Sequence, residues 1–320
     1  MAGRRITDWR LRTRSLALGQ RTRVMGVVNI TPDSFSDGGL YFAPEAAVEH
    51  ALELLDEGAD LLDLGAESTR PGSQVGRDTA AVSADEEQAR LLPVIEGILK
   101  ARPDAIISVD TYKAVTARAA LKAGAEIVND VSGLAWDDGM AAACSETGAG
   151  LVVMHTRGTP DEWKTQPQLA PDTLLGTVRS GLANSLGMAV AAGIAPEAVV
   201  LDPGYGFGKR FGENYALLAR QGELLALERP LLAGVSRKSF LEQGLAKHGV
   251  DGDGSQLPRE ARENASLAAM TAAIFHGASI VRVHAVSAAV DAALVADSIL
   301  AAASDRPSKQ ALSPETCKLV

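Results

Sequence analysis

The chain is short of cysteine, aromatic residues and positive charge. It has two cysteines in 320 residues, 4% aromatics, five histidines and a net charge of −9. Each shortage excludes something. Cys144 lies in an Ala-rich stretch and Cys317 near the C-terminus, so neither a disulfide framework nor a Cys-based metal site is expected, and a reducing compartment suits both. No His/Cys cluster is spaced for zinc. The acidic balance argues against nucleic acid as a partner, so an anionic ligand needs a local group of cations. No apolar run reads as long enough to span a bilayer, and M-A-G-R-R-I-T-D-W-R has no apolar core behind its basic residues. The expectation is a cytoplasmic globular protein with no membrane partner.

What is present is a repeated join. E-G-A-D-L-L-D-L-G-A, A-G-A-E-I-V-N-D-V, T-G-A-G-L-V-V-M-H and H-G-A-S-I-V-R-V-H each put Gly-Ala before a short apolar run. Amphipathic stretches such as P-E-A-A-V-E-H-A-L-E-L-L-D-E precede them. A left-handed glycine ends a helix at little cost, and the apolar run reads as a buried parallel strand. Such runs fall at 24–28, 61–64, 106–109, 127–128, 151–154, 199–201, 231–235 and 280–283, with room for a helix between each pair. Eight alternating units predict a (β/α)8 barrel, a fold of typically about 250 residues. A doubly wound open sheet fits less well, because no G-x-G-x-x-G follows the first strand. Residues 1–20 alternate like a hairpin that covers the strand-N-terminal mouth, 21–303 form the barrel, and 304–320 form a disordered tail. Residues 157–172 and 243–264 read as polar loops.

In a (β/α)8 barrel, chemistry gathers where strands end. Here those ends carry Asn29, then Glu67-Ser68-Thr69-Arg70, Asp110, Asn129-Asp130, His155, Asp202, Ser236-Arg237-Lys238, and Arg282 with His284. Any one of them has an ordinary reading as a turn former or helix cap. The set does not, since independent caps would not supply several cations and a histidine. Arg282 inside an apolar strand is costly without a partner. The loop D-P-G-Y-G-F-G-K, residues 202–209, is not a P-loop; its glycines allow close backbone approach and Phe207 offers a face for stacking.

N-I-T-P-D-S-F-S-D-G-G, E-S-T-R-P-G, S-V-D-T, N-D-V-S-G, V-V-M-H, D-P-G-Y-G-F-G-K, G-V-S-R-K-S-F and V-R-V-H follow one another in this order. Together, over residues 21–303, they closely resemble the dihydropteroate synthases of bacterial folate biosynthesis. The resemblance implies a pterin-binding barrel, usually a homodimer, that uses Mg2+ and is a sulfonamide target. It implies a transferase that joins 6-hydroxymethyl-7,8-dihydropterin diphosphate to p-aminobenzoate. By motif, Asp110, Asn129, Asp202 and Lys238 would meet the pterin edge, with Met154 and Phe207 near its faces. Diphosphate would lie among Asn29, Thr69, Arg70, Arg282 and His284, with Mg2+ on Asn29. Phe35, Pro71, Phe207 and Ser239 would border p-aminobenzoate. Asp37 would steady a cationic intermediate on a dissociative route, and residues 32–39 would close as a lid while Asn29 stays fixed.

Three places depart from the family's pattern: Ala285 follows His284 where Asp is usual, Thr156-Arg157 replaces a Met-Gln pair, and Tyr205 replaces Phe or Ile. Two alternatives remain open on the sequence. A methyltetrahydrofolate-type methyltransferase is also a pterin barrel but has no use for Arg70 and His284. A catalytically silent relative with a binding role is the other.

Overall fold

The computed structural model describes residues 4–30, 44–67, 82–247 and 257–304. After a short antiparallel hairpin, β1 (Thr7–Arg10) and β2 (Ser15–Leu18), eight parallel strands close into a barrel. They are β3 (Arg23–Asn29), β4 (Leu61–Gly65), β5 (Ile107–Asp110), β6 (Ile127–Asp130), β7 (Gly150–Met154), β8 (Val199–Asp202), β9 (Leu231–Ala233) and β10 (Ala278–Val283). The ring closes where β10 pairs with β3, Arg282 opposite Met25 and Val283 opposite Gly26. Each expected apolar run became a strand, with ends shifted by one or two residues.

The outer layer is α1 (Pro44–Asp56), α2 (Ala84–Ala101), α3 (Ala114–Ala123), α4 (Met140–Thr147), α5 (Pro171–Ala191), α6 (Phe211–Arg220), α7 (Ser239–Lys247), α8 (Arg259–Phe275) and α9 (Val286–Ser304). The Gly-Ala joins work as expected: Gly124 ends α3 at φ 117°, and Gly277 sits at φ 95° between α8 and β10. A Cβ on Gly124 would come within 2.4 Å of the Leu99 side chain and force it to shift, and the positive φ itself disfavours any larger residue there. Strand residues such as Val24, Val28, Leu62, Leu64 and Val109 pack outward against Leu54, Leu91, Ile95 and Leu121, forming one continuous core between strands and helices.

The hairpin covers the barrel floor as expected. Trp9, Leu11 and Leu18 are buried against Met25, Leu61, Ile127, Val152, Val200, Leu232 and Ile280, the interior layer at that end. The Trp9 indole N–H donates to the Ala198 carbonyl at 2.8 Å, so its polar edge is also satisfied.

Three expectations need amendment. Much of 243–264 is helical: it holds the end of α7 and the start of α8, because Gln243 and Leu245 continue one helix and Arg259 to Asn264 begin another. The segment after β7 is not purely polar, since Trp163 is buried there. Helix α9 is, by length and composition alone, apolar enough to cross a bilayer. It is instead laid along the barrel by Val286, Ala289, Ala293 and Ala296, and Asp297 in its middle accepts the Thr22 N–H at 2.6 Å and ion-pairs with Arg4. Of the expected tail 304–320, Ser304 instead ends α9 and 305–320 lie outside the described residues, as does the lid segment 32–39.

Candidate active site

Side chains alternate along each strand, so the floor layer fixes what lies above it. Two residues beyond Leu61, Ile127, Val152, Val200 and Ile280 stand Asp63, Asn129, Met154, Asp202 and Arg282, with Ser108 beside them on β5. The apolar plug thus gives way within one step to a polar layer facing the strand-C-terminal mouth.

Asp63 is the node of that layer. It is fully buried and accepts from three neighbours: Arg282 Nε at 2.5 Å, Ser108 Oγ at 2.6 Å and Asn129 Nδ2 at 2.9 Å. Arg282 reaches on with Nη2 to Asp110 Oδ2 at 2.8 Å. One guanidinium therefore bridges a deep carboxylate and one nearer the mouth, which supplies the partner its burial demands. Burial raises the Asp110 pKa to about 7, with Asp63 and Glu87 adding to the rise and Arg282 and Lys238 opposing it. Burial works against the Arg282 charge, but Asp63 and Asp110 hold its pKa above the ordinary guanidinium range.

Asp202 closes the opposite side. Its Oδ1 accepts the Gly204 N–H at 2.7 Å, and burial raises its pKa. Gly204 has φ 69°, and a Cβ there would meet the His155 carbonyl oxygen at 2.0 Å, so the loop can fold this tightly only with glycine. Lys238 Nζ lies 4.0 Å from the Phe207 ring centroid, within cation–π reach. Burial lowers the Lys238 pKa to about 8, with Arg282 adding to the fall and Asp202 and Asp110 opposing it. Gly234 leaves space beside Asp202 and Arg282, since an added Cβ would come within 3.7 Å of Asp202 Oδ2. Two acids whose pKa values burial raises, one amide and two cations thus gather at the strand-C-terminal end. Such a set can accept from a heterocycle's N–H edge and counter an anion.

Asn29 ends β3 opposite Gly65. Ser236 Oγ lies 3.0 Å from His284 Nδ1, which links the ends of β9 and β10. Met154 and Phe207 are buried in one apolar cluster with Val131, and Ser239 begins α7. Thr69, Arg70, Phe35, Asp37 and Pro71 lie outside the described residues. Several strand-end residues have the ordinary role: Asp130 accepts from Ser132 N and Leu134 N, both at 2.8 Å, and Arg237 pairs with Glu263 of α8. His155 packs beneath Gly181 of α5 rather than among the polar layer, and burial holds its pKa well below the usual imidazole value. Asp63 was missed in the sequence reading. Its position two residues beyond Leu61, inside an otherwise apolar strand, is the signal that finds it.

Among the described residues no group of three or more His, Cys, Asp or Glu side chains is placed to hold a metal ion. The donor chemistry on β3 is the single amide oxygen of Asn29. That fits a Mg2+ whose other ligands come from phosphate oxygens and water, and not a cage built by the protein alone.

Residues 25–284 match the family described as pterin binding enzymes. The dihydropteroate synthase of Mycobacterium leprae is 43% identical over 274 residues, which span 84% of this chain and 90% of that protein. The Yersinia pestis dihydropteroate synthase, solved with a sulfonamide drug complex, superposes with a TM-score of 0.80 at 38% identity over 92% of this chain and 100% of its own. The Burkholderia cenocepacia enzyme, solved with 7,8-dihydropteroate, gives 0.78 at 37% identity over 94% and 99%.

Proposed function

The chain belongs to the pterin-binding enzymes and, within them, to the dihydropteroate synthases, and we propose the following account of its chemistry. It is a transferase that condenses 6-hydroxymethyl-7,8-dihydropterin diphosphate with p-aminobenzoate, giving 7,8-dihydropteroate and diphosphate. The observation that carries the reading is the polar layer above the floor, where Asp63, Asp110, Asn129 and Asp202 face Arg282 and Lys238.

An aminopyrimidinone edge rich in N–H donors suits Asp110, Asn129 and Asp202 as acceptors, and N–H donors from a ligand would favour the ionised form that burial disfavours in both acids. The C–O bond to diphosphate breaks with its electron pair on the leaving group, and a methylene cation is delocalised into the dihydropterin ring. The arylamine nitrogen then forms the new C–N bond and releases a proton. Neutralising the leaving group is the main demand. Arg282 has five N–H donors, and Asp63 and Asp110 take one each in this arrangement, which supports assigning the rest to ligand. His284, with Arg70 and Thr69, completes the diphosphate site in this reading, and Asp37 steadies the cation. Asn29 would hold Mg2+, which supplies further charge neutralisation at diphosphate. Ser239, Phe35, Pro71 and Phe207 border p-aminobenzoate, where a sulfonamide would compete. The reaction takes place in the cytoplasm.

A diphosphate-release assay tests this. Product formation should require p-aminobenzoate, and a chelator should abolish it until Mg2+ is restored. Diphosphate release with no p-aminobenzoate-dependent product would overturn the assignment, and methyl transfer to a corrinoid would replace it with the methyltransferase reading.

The protein acts as a homodimer in this account. Helix α9 supports that part: opposite its packed face it exposes Leu294, Val295 and Ile299, which are 57%, 62% and 45% accessible. Val295→Glu should shift the protein to a monomer in sedimentation-equilibrium runs. An unchanged mass, or a monomeric wild type, would rule this face out.

A further inference from the structure

The Gly-rich loop is supported from behind by residues that its motif does not explain. Trp163, in the segment between β7 and α5, is buried with its ring edge-on to Phe207, centroids 4.8 Å apart and planes at 88°. Its indole N–H donates to Thr156 Oγ1 at 3.0 Å and the Gly158 carbonyl at 3.2 Å. Arg157, next to Thr156, reaches both Glu213 oxygens at 3.3 Å and the Pro167 carbonyl at 2.8 Å, and Glu213 also accepts the Leu169 N–H at 2.6 Å. Of the two residues that depart from the family's pattern, Thr156 thus holds the Trp163 indole and Arg157 fastens the segment that carries it to α6.

Lys209 acts on the same aromatic through the backbone. Its buried ammonium donates to the carbonyls of Gly204 at 2.7 Å, His155 at 3.1 Å and Phe207 at 3.2 Å. The Arg157 N–H adds a second donor to the Phe207 carbonyl at 3.4 Å. Phe207 is therefore held by the perpendicular Trp163 ring, at its backbone carbonyl by Lys209 and Arg157, and by the Lys238 ammonium over its own ring. A side chain with so little freedom keeps its ring in one orientation.

We propose that Trp163 and Lys209 are positioning residues that hold Phe207 as a rigid stacking face for the pterin. This rests on the reading of the pocket as a pterin site. The probe is 6-hydroxymethylpterin, which carries no diphosphate and cannot react, followed by its own fluorescence. Trp163→Leu should weaken its binding by about ten-fold, the upper range for one aromatic pair, while Trp163→Phe keeps a ring edge and loses about three-fold or less. At saturating pterin diphosphate, kcat for both should stay within about two-fold of wild type, because neither residue touches reacting atoms. Lys209→Met should weaken the pterin in the same way. If that variant fails to melt cooperatively, the Trp163 pair decides. A wild type that binds the pterin while Trp163→Leu binds it equally well overturns the positioning role alone. A wild type that does not bind the pterin overturns the reading beneath it.

Discussion

Replacing Asp63 with alanine is expected to destabilise the protein by about 3 kcal/mol, at the lower end for breaking a buried ion pair from one side. The loss comes from what stays behind. Arg282 keeps Asp110 as its remaining hydrogen-bonded partner, with Asp202 acting from further off, and Ser108 and Asn129 lose the acceptor they share. Urea unfolding reads the change directly. Adding Arg282→Met to Asp63→Ala should restore part of the stability, since the stranded charge is then gone. Asp63→Asn should be milder in stability, yet lower kcat/KM by about 10- to 100-fold, because it no longer orients Arg282 and Asn129 towards ligand. A loss below about 1 kcal/mol for Asp63→Ala would mean that Asp110 alone satisfies Arg282.

Lys238→Met is expected to act in opposite directions on activity and stability. Losing a charged donor in the pocket should cost about 100- to 1,000-fold in kcat/KM. Stability at neutral pH should nevertheless rise by roughly 2 kcal/mol. The fall in pKa from 10.5 to about 8 corresponds to roughly 3 kcal/mol, reduced here because Lys238 keeps part of its surface exposed to solvent. Below about pH 8 the lysine is charged in both folded and unfolded chains, so the folded state bears the whole desolvation cost. Between about 8 and 10.5 the unfolded chain holds the proton and the folded chain does not, so this group's penalty fades as pH rises. The advantage of the variant in thermal melts should therefore be largest at neutral pH and vanish near pH 10.5. A variant less stable than wild type at pH 7 would show that the Phe207 and carboxylate contacts outweigh burial. Functional sites commonly trade stability for activity in this way.

Much of this was legible in the chain. Glycine before alanine before an apolar run marked helix ends and strand starts, because both signals are local. Reading each strand to its end led to Asp110, Asn129, Asp202, Lys238 and Arg282, which the fold brings together, and to His284, which pairs with Ser236. Asp63 escaped that procedure because it stands in the middle of β4, where only the period-two relation to Leu61 reveals its direction. Trp163 escaped because its segment has no periodicity, and its burial depends on where Phe207 stands after the barrel closes. Asp130 and Arg237 looked equivalent to Asn129 and Lys238 in sequence. Their different roles are set by tertiary partners, the Ser132–Leu134 turn and Glu263, that no local pattern reports.

The closure of β10 onto β3 bears on how the chain is made. Synthesis delivers Asp63 and Asp110 early, but their guanidinium arrives only with residue 282, on the strand that seals the ring. Until that point the nascent barrel carries Asp63 without its ion-pair partner, Asp110 with only the Lys238 charge near it, and an open edge on β3. Non-local pairing of this kind is slow and leaves intermediates prone to association. A product truncated before β10 is therefore more than inactive: it is an electrostatically unbalanced sheet with an unpaired margin, the sort of species that chaperones and proteases remove. The last strand thus closes the ring and, in the same step, neutralises the carboxylates inside it.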